Sequence, residues 1–411
     1  MPLYETERHE RLIETAWNED CAHDAIDRIV TDTNRSFSAD GLWPVHPMDR
    51  SPERAPDSIK YMYHGAAGVI WALNYLNETT AVALKRDYLP TVRQLIPRIR
   101  KDMDKFPDLR KYMGAELASY LLGEAGILLL QWKLAPSEDL ARQLYSHLET
   151  MIGDPRGIAW GGGGAMLAAL FMHDRTGDAR WKDLFLRSFG PLRNQFNYSE
   201  EARCHLWTSS LYGVTEMRLG GIHGFAANAH VMLRGRHLLE PAVADEMLRR
   251  IHETVHATAL VEGNHANWAN NVGPTTRPAP LPVVVQHCNG APGIINSLAE
   301  FPNDARWPVE SLLLEAGELV WDAGPPVKFP SLCHGAAGNG YACLKLYART
   351  GDDRWLDRAR RFAMHAIDQC DRALEKYGQR KYSLWTGDLG LAIYLWDCIR
   401  ANAEYPTFDV F

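Results

Sequence analysis

Glycine-rich turns, each opening an apolar helix-like run, recur along the chain. The first reads His64-Gly65-Ala66-Ala67-Gly68 and continues into Val69-Ile70-Trp71-Ala72-Leu73. The pattern returns at Gly123-Glu124-Ala125-Gly126, at Gly161 to Gly164, and at Ile222-His223-Gly224-Phe225-Ala226. Three more copies follow: Cys288-Asn289-Gly290-Ala291-Pro292-Gly293, Cys333-His334-Gly335-Ala336-Ala337-Gly338 and Gly387-Asp388-Leu389-Gly390. The copies stand roughly 40 to 65 residues apart, the period of a helical-hairpin repeat.

The segments between the turns are amphipathic. Asp352 to Ile367 carries Trp355, Leu356, Ala359, Phe362, Ala363 and Ile367 at helical spacing, with charges elsewhere. Thr176-Gly177-Asp178-Ala179-Arg180-Trp181 and Thr350-Gly351-Asp352-Asp353-Arg354-Trp355 are near-copies. Each lies between an apolar and an amphipathic run, so each is expected to be the turn of an αα-hairpin. A helix that is apolar all round must be buried, and an amphipathic one can cover it while facing water. Hairpins of this kind, closed in a ring, predict an all-α fold: an α/α toroid with inner helices around a central cavity. Glycine at each turn lets the inner helices start close together. An open solenoid would show more uniform repeats and clearer capping units.

Strand-like alternation is scarce, Pro282-Val283-Val284-Val285 being a short exception. The stretch Asn264 to Pro282, with Pro274, Pro278 and Pro280, is expected to lack regular structure. Ser38 to Asp57, with Pro44, Pro47, Pro52 and Pro56, is expected to be an irregular lead-in loop. Neither resembles a linker, so residues 1–411 are expected to form a single domain.

Composition narrows the function classes. The chain of 411 residues is 46% hydrophobic and 23% charged, ordinary for a globular protein. Its net charge of −7 is spread along the sequence with no basic stripe, which argues against a nucleic-acid partner. No apolar stretch is long enough for a transmembrane segment, and Met1-Pro2-Leu3-Tyr4-Glu5-Thr6-Glu7 is acidic where a secretory signal is basic; a cytoplasmic location is expected. Seven scattered cysteines are no disulfide framework. Cys21, Cys204, Cys343, Cys370 and Cys398 are expected to be packing residues.

Chemistry gathers on the turns. Cys288 opens one, and Cys333 and His334 open the next. In a toroid all such turns lie at one end of the ring, so these neighbours converge across a whole hairpin of sequence. Two thiolates and an imidazole suit Zn²⁺, and three protein ligands leave its fourth position to water or substrate. Helix N-termini stabilise thiolates there. Against this, buried cysteines are common as small apolar residues, and the pattern alone leaves both readings open.

The pieces Gln286-His287-Cys288-Asn289-Gly290-Ala291-Pro292-Gly293 and Leu332-Cys333-His334-Gly335-Ala336-Ala337-Gly338-Asn339 resemble the two metal motifs of the lanthionine synthetase C-like (LanC-like) family. The seven turns resemble that family's repeat plan across nearly the whole chain. The resemblance implies seven inner and seven outer helices, with zinc on Cys288, Cys333 and His334. It also implies a zinc-dependent enzyme forming thioethers (C–S bonds) by adding glutathione or a peptide cysteine to a dehydroamino acid in a peptide or protein. His223 is implied as the catalytic proton donor and Lys328 as a glutathione-binding residue. His64 holds the equivalent place in the first repeat and is expected to be structural, as are His205 and His287. Glu124 and Asp388 are either acids facing the cavity or carboxylates favoured by helix N-termini.

Three departures bear on substrate. The cyclases of the family carry tyrosine where this chain has Asn289, and an arginine upstream where it has Val283-Val284-Val285-Gln286. Ile158-Ala159-Trp160 stands where they have a catalytic aspartate. Glutathione-type addition therefore fits better than peptide ring closure. Two alternatives stay open. A metal-independent, carbohydrate-active toroid would use Glu124 or Asp388, with Trp160, Trp207, Trp268 and Trp385 as sugar platforms. A non-catalytic zinc- or glutathione-binding protein would keep the fold without turnover.

Overall fold

The computed structural model describes residues 2–50, 58–105 and 117–411, so Pro52 and Pro56 of the lead-in lie outside the described residues. Outer and inner helices alternate along the chain. They begin with α1 (Glu19–Ser36), α2 (Ala66–Glu78), α3 (Leu89–Lys105), α4 (Ala125–Leu134) and α5 (Glu138–Glu149). A single turn, α6 (Gly157–Trp160), leads into α7 (Gly162–Thr176), followed by α8 (Ala179–Asn194), α9 (Phe225–Arg234) and α10 (Pro241–Ala257). The series ends with α11 (Ala291–Leu298), α12 (Glu310–Ala323), α13 (Ala336–Thr350), α14 (Asp353–Tyr377) and α15 (Asp388–Arg400). Each of the seven glycine-rich turns opens an inner helix: α2, α4, α7, α9, α11, α13 and α15.

Burial follows the sequence pattern. Every residue from Gly162 to Met172 in α7 and from Ala336 to Leu346 in α13 is buried. The outer α14 buries one stripe, Trp355, Ala359, Phe362, Ala363, Ala366 and Cys370. The near-copied hairpin turns both place a glycine in the left-handed region, Gly177 at φ +65° and Gly351 at φ +69°. Beyond them Asp178 and Asp352 cap the next helix, each carboxylate accepting an N–H two residues on at 2.9 Å.

The ring closes through the backbone of the turns. Tyr63 N–H donates to Leu121 O (2.9 Å), Leu121 to Ala159 (3.2 Å) and Ala159 to Ile222 (3.4 Å). Cys288 donates to Cys333 (3.2 Å), Cys333 to Trp385 (3.0 Å), and Trp385 back to Tyr63 (3.0 Å). The last turn is thereby bonded to the first, as closure requires and an open solenoid forbids. The glycines make this approach possible. A Cβ at Gly338 would collide with Leu332 O, and one at Gly293 with His287 O. The same relation holds for Gly68 with Met62 and Gly126 with Tyr120.

Two findings differ from the sequence reading. Short antiparallel strands form between residues 197 and 275: β1 (Asn197–Ser199) with β2 (Cys204–Leu206), β3 (Ser209–Leu211) with β4 (Val214–Arg218), and β5 (Ala259–Glu262) with β6 (His265–Trp268). Strand β7 (Asn271–Thr275) pairs with β4 from over fifty residues away. The stretch from Asn264 is therefore partly regular, held by pairing that local alternation cannot reveal. The ring's interior is also filled rather than hollow. Residues Tyr405 to Phe411, beyond α15, run into it, with Tyr405 and Thr407 wholly buried and Phe408 and Phe411 nearly so. Phe411 packs on Trp71 of α2 and Phe171 of α7, and Asp409 pairs with Arg234 of α9 and Lys345 of α13.

Candidate metal centre

The bonded turns bring Cys288, Cys333 and His334 together at the N-termini of α11 and α13. Their ligand atoms all lie within 4.8 Å of one another, with Cys333 Sγ 3.4 Å from His334 Nε2. Among the described residues this is the one cluster of three or more histidine, cysteine or acidic side chains so arranged. Both sulfurs are buried, and His334 is half-buried. The sulfurs are also hydrogen-bond acceptors. Tyr63 Oη donates to Cys333 Sγ at 2.9 Å, and the amides of Gln286 and Asn289 donate to Cys288 Sγ at 3.2 and 3.6 Å. Donors on sulfur favour thiolate over thiol.

One negative charge is held easily between the two sulfurs, and a second is not. Contact with the Cys333 thiol, helped by the nearby His334 ring, brings Cys288 well below the ordinary thiol range. Burial and the Cys288 charge push Cys333 well above it. A divalent cation fits such a site: it neutralises the second charge that burial and repulsion resist, and the S, S, N donor set matches zinc.

His223 stands on the neighbouring fourth turn. It is half-buried, its ring centroid is 5.7 Å from that of Trp160, and its Nδ1 is buried without a partner. Burial lowers its pKa, while the Cys288 charge pulls the other way. Lys328 is exposed on the loop before Cys333, near enough that its charge favours the Cys333 thiolate. Both are thus gathered around the ligand cluster. His64 instead feels the charges of Asp49 and Lys381, and burial takes its pKa down to about 4.

The remaining candidates resolve into packing. Glu124 is wholly buried and paired with Arg100 (2.9 Å) and His147 (2.8 Å). Asp388 lies against Arg380 at 3.3 Å, and burial raises its pKa to about 6. Trp160, Trp207, Trp268 and Trp385 are all buried, which makes them poor sugar platforms. Cys204, Cys343, Cys370 and Cys398 are buried as expected, but Cys21 is exposed on the first turn of α1, a correction to its reading as a packing residue. That helix turns its apolar stripe, from Ala22 through Ala25, Ile26 and Ile29, to the core and leaves Cys21 off it.

Sequence reasoning missed Tyr63, Gln286 and Asn289 as partners of the sulfurs. Gln286 and Asn289 occupy two of the positions where the chain departs from the cyclases; Tyr63 had no signal beyond its place next to a turn histidine.

An α/α toroid with a Cys–Cys–His cluster at the turn end of its ring is the class that fold and site define. A family model described as lanthionine synthetase C-like protein matches residues 59–410, and the chain belongs to that family. Nisin cyclase shares the fold, with a TM-score of 0.58 over 92% of this chain and 94% of its own, at 15% identity. Glutathione S-transferase LANCL1 of Danio rerio is 30% identical over 205 residues, 47% of this chain and 46% of that protein. LanC-like protein GCL1 of Arabidopsis thaliana is 32% identical over 148 residues, 33% of each chain. The matched region thus spans less than half of either curated relative. Among the described residues no helix is long and apolar enough to cross a membrane.

Proposed function

We propose that this protein is a zinc-dependent enzyme that adds a thiol, glutathione or a peptide cysteine, across the double bond of a dehydroamino acid in a peptide or protein. The observation that carries the reading is the convergence of Cys288, Cys333 and His334 from two distant turns. Family membership and the name of the zebrafish relative support the chemistry and the choice of glutathione. The reading takes residues 1–411 as one catalytic domain and places it in the cytoplasm, where glutathione is abundant.

Cys288, Cys333 and His334 would hold the zinc, which would supply Lewis acidity that lowers the pKa of a thiol substrate. The chain's own residues do the rest. Tyr63, Gln286 and Asn289 spread part of the negative charge of the protein sulfurs into hydrogen bonds. Lys328 pairs with a carboxylate of the incoming thiol. His223, kept neutral by burial, takes the thiol proton, and the sulfur attacks the β-carbon of the alkene. The π electrons move to the α-carbon, which receives the proton back from His223. An S–H bond and a C=C π bond are exchanged for S–C and C–H bonds, and no proton is gained or lost.

The test is incubation of the protein with glutathione and a dehydroalanine peptide, read by mass. Addition of one glutathione, lost in Cys333→Ser and His223→Gln, is the expected result. Turnover unaffected by Cys333→Ser contradicts the proposal. Glutathione binding without turnover would leave the protein a binder rather than an enzyme.

A further inference from the structure

Tyr405 touches the residue immediately before each sulfur ligand. Its hydroxyl donates to the carbonyl of Leu332, which precedes Cys333, at 2.7 Å. Its ring stacks on His287, which precedes Cys288, with centroids 4.3 Å apart and planes 15° off parallel. Leu332 and Tyr405 are wholly buried and His287 is 1% exposed, so these contacts are made from inside the ring, behind the site. Asn296 of α11 repeats the bridging. Its side-chain amide donates both to His287 Nδ1 and to Gly338 O at the start of α13, at 3.1 Å each.

Tyr405 is itself fixed by the segment that fills the ring. Its N–H donates to the Asp409 carboxylate at 2.6 Å, and Lys345 Nζ sits 2.7 Å from the same carboxylate. Thr407 O accepts the Tyr120 hydroxyl at 2.8 Å, and Thr407 Oγ1 accepts the Trp385 indole N–H at 3.2 Å. Helices α2, α7, α9 and α13 all contact residues 405–411, so a displacement of the segment is resisted from several sides at once.

We propose that Tyr405 is a positioning residue for the metal centre: from within the ring it sets the spacing of the Cys288 and Cys333 turns. The proposal rests on the zinc reading, but the spacing of the two sulfurs is a property of the protein alone. A carbonyl released from its donor and a histidine released from its stack let two adjacent turns drift. Metal–ligand distances tolerate only about 0.2 Å of that. Partners behind a metal's ligands commonly contribute about 10- to 100-fold to its affinity.

The experiment compares Tyr405→Phe, which removes only the bond to Leu332, and Tyr405→Leu, which also removes the stack, with Tyr120→Phe. The last removes a bond to the same segment that involves neither of the residues preceding the sulfur ligands. Zinc affinity by chelator competition, the thiolate-to-cobalt charge-transfer spectrum of the Co²⁺ form, and capture of the metal-free protein by a trivalent arsenical that bridges neighbouring thiols are measured for each. Tyr405→Phe is expected to weaken zinc about tenfold, shift the cobalt spectrum and slow arsenical capture, with larger effects in Tyr405→Leu and none in Tyr120→Phe. Should Tyr405→Leu not fold, the phenylalanine variant decides alone. Tyr405→Phe matching Tyr120→Phe in every readout overturns the proposal. A native protein that captures the arsenical but takes up neither metal refutes the zinc reading instead, and the arsenical rates still judge Tyr405.

Discussion

Alanine at Gly338 puts a methyl group where the Leu332 carbonyl oxygen already lies, about 1 Å inside the 3.0 Å that real Cβ atoms keep. The oxygen is also held by the Tyr405 hydroxyl, and the Leu332 side chain is wholly buried, so the chain cannot swing away freely. A retreat of about 1 Å at Leu332 moves Cys333, the next residue, by several times the roughly 0.2 Å that metal–ligand distances tolerate. Overpacking of this kind costs about 1–3 kcal/mol of folding stability. Gly126 is the matched control, because a Cβ there collides in the same way with the Tyr120 carbonyl, on a turn that carries no ligand. Gly338→Ala and Gly126→Ala should therefore lose similar stability in urea unfolding with a chelator present. Only Gly338→Ala should lose zinc affinity, by about tenfold or more in competition with a chromophoric chelator. Equal zinc affinity in the two variants, at equal loss of stability, would refute the claim that the turn glycines set ligand geometry.

Other expectations follow from the same geometry. His223→Gln should lower kcat by about 10²- to 10⁴-fold while zinc content stays native, checked by steady-state kinetics beside metal analysis. Lys328→Ala should raise KM for glutathione about tenfold and leave KM for an uncharged thiol such as 2-mercaptoethanol unchanged, since one charge-assisted hydrogen bond is at stake. His64 is neutral in the fold, with a pKa of about 4 against 6.5 when unfolded. It contributes nothing to the pH dependence of stability above pH 6.5, and stability is lost as pH falls from 6.5 through 4, by at most about 2 kcal/mol at pH 5. His64→Asn should flatten that slope in urea titrations run between pH 7 and 5.

The repeat and its ligands were legible because they are local. A glycine followed three residues on by a second small residue, then by a mostly apolar run, describes the start of an inner helix, and each of the seven turns opens one. The metal ligands were legible because a toroid puts equivalent turns beside one another, so residues a full hairpin apart in sequence become neighbours. What stayed hidden depends on contacts that no window of sequence contains. Strand β7 forms because it finds β4, not because Asn271 to Thr275 alternates. Residues 405–411 have no periodicity to mark them as the filling of the ring. Tyr63, Gln286 and Asn289 read as ordinary polar or aromatic residues until the ring sets their side chains against two sulfurs. Glu124 was open between an acid facing the cavity and a carboxylate favoured by a helix N-terminus, and no window of sequence shows that Arg100 and His147 claim its carboxylate.

Zinc bound by Cys288, Cys333 and His334 as a set underlies every step of the proposed chemistry. Metal analysis of the purified protein, with Cys288→Ser, Cys333→Ser and His334→Ala beside it, measures this. About one zinc per native chain, with tight binding lost in each variant, is the predicted result. A native protein free of zinc after purification and exposure to the metal, or variants that keep it as firmly as the native chain, would contradict it.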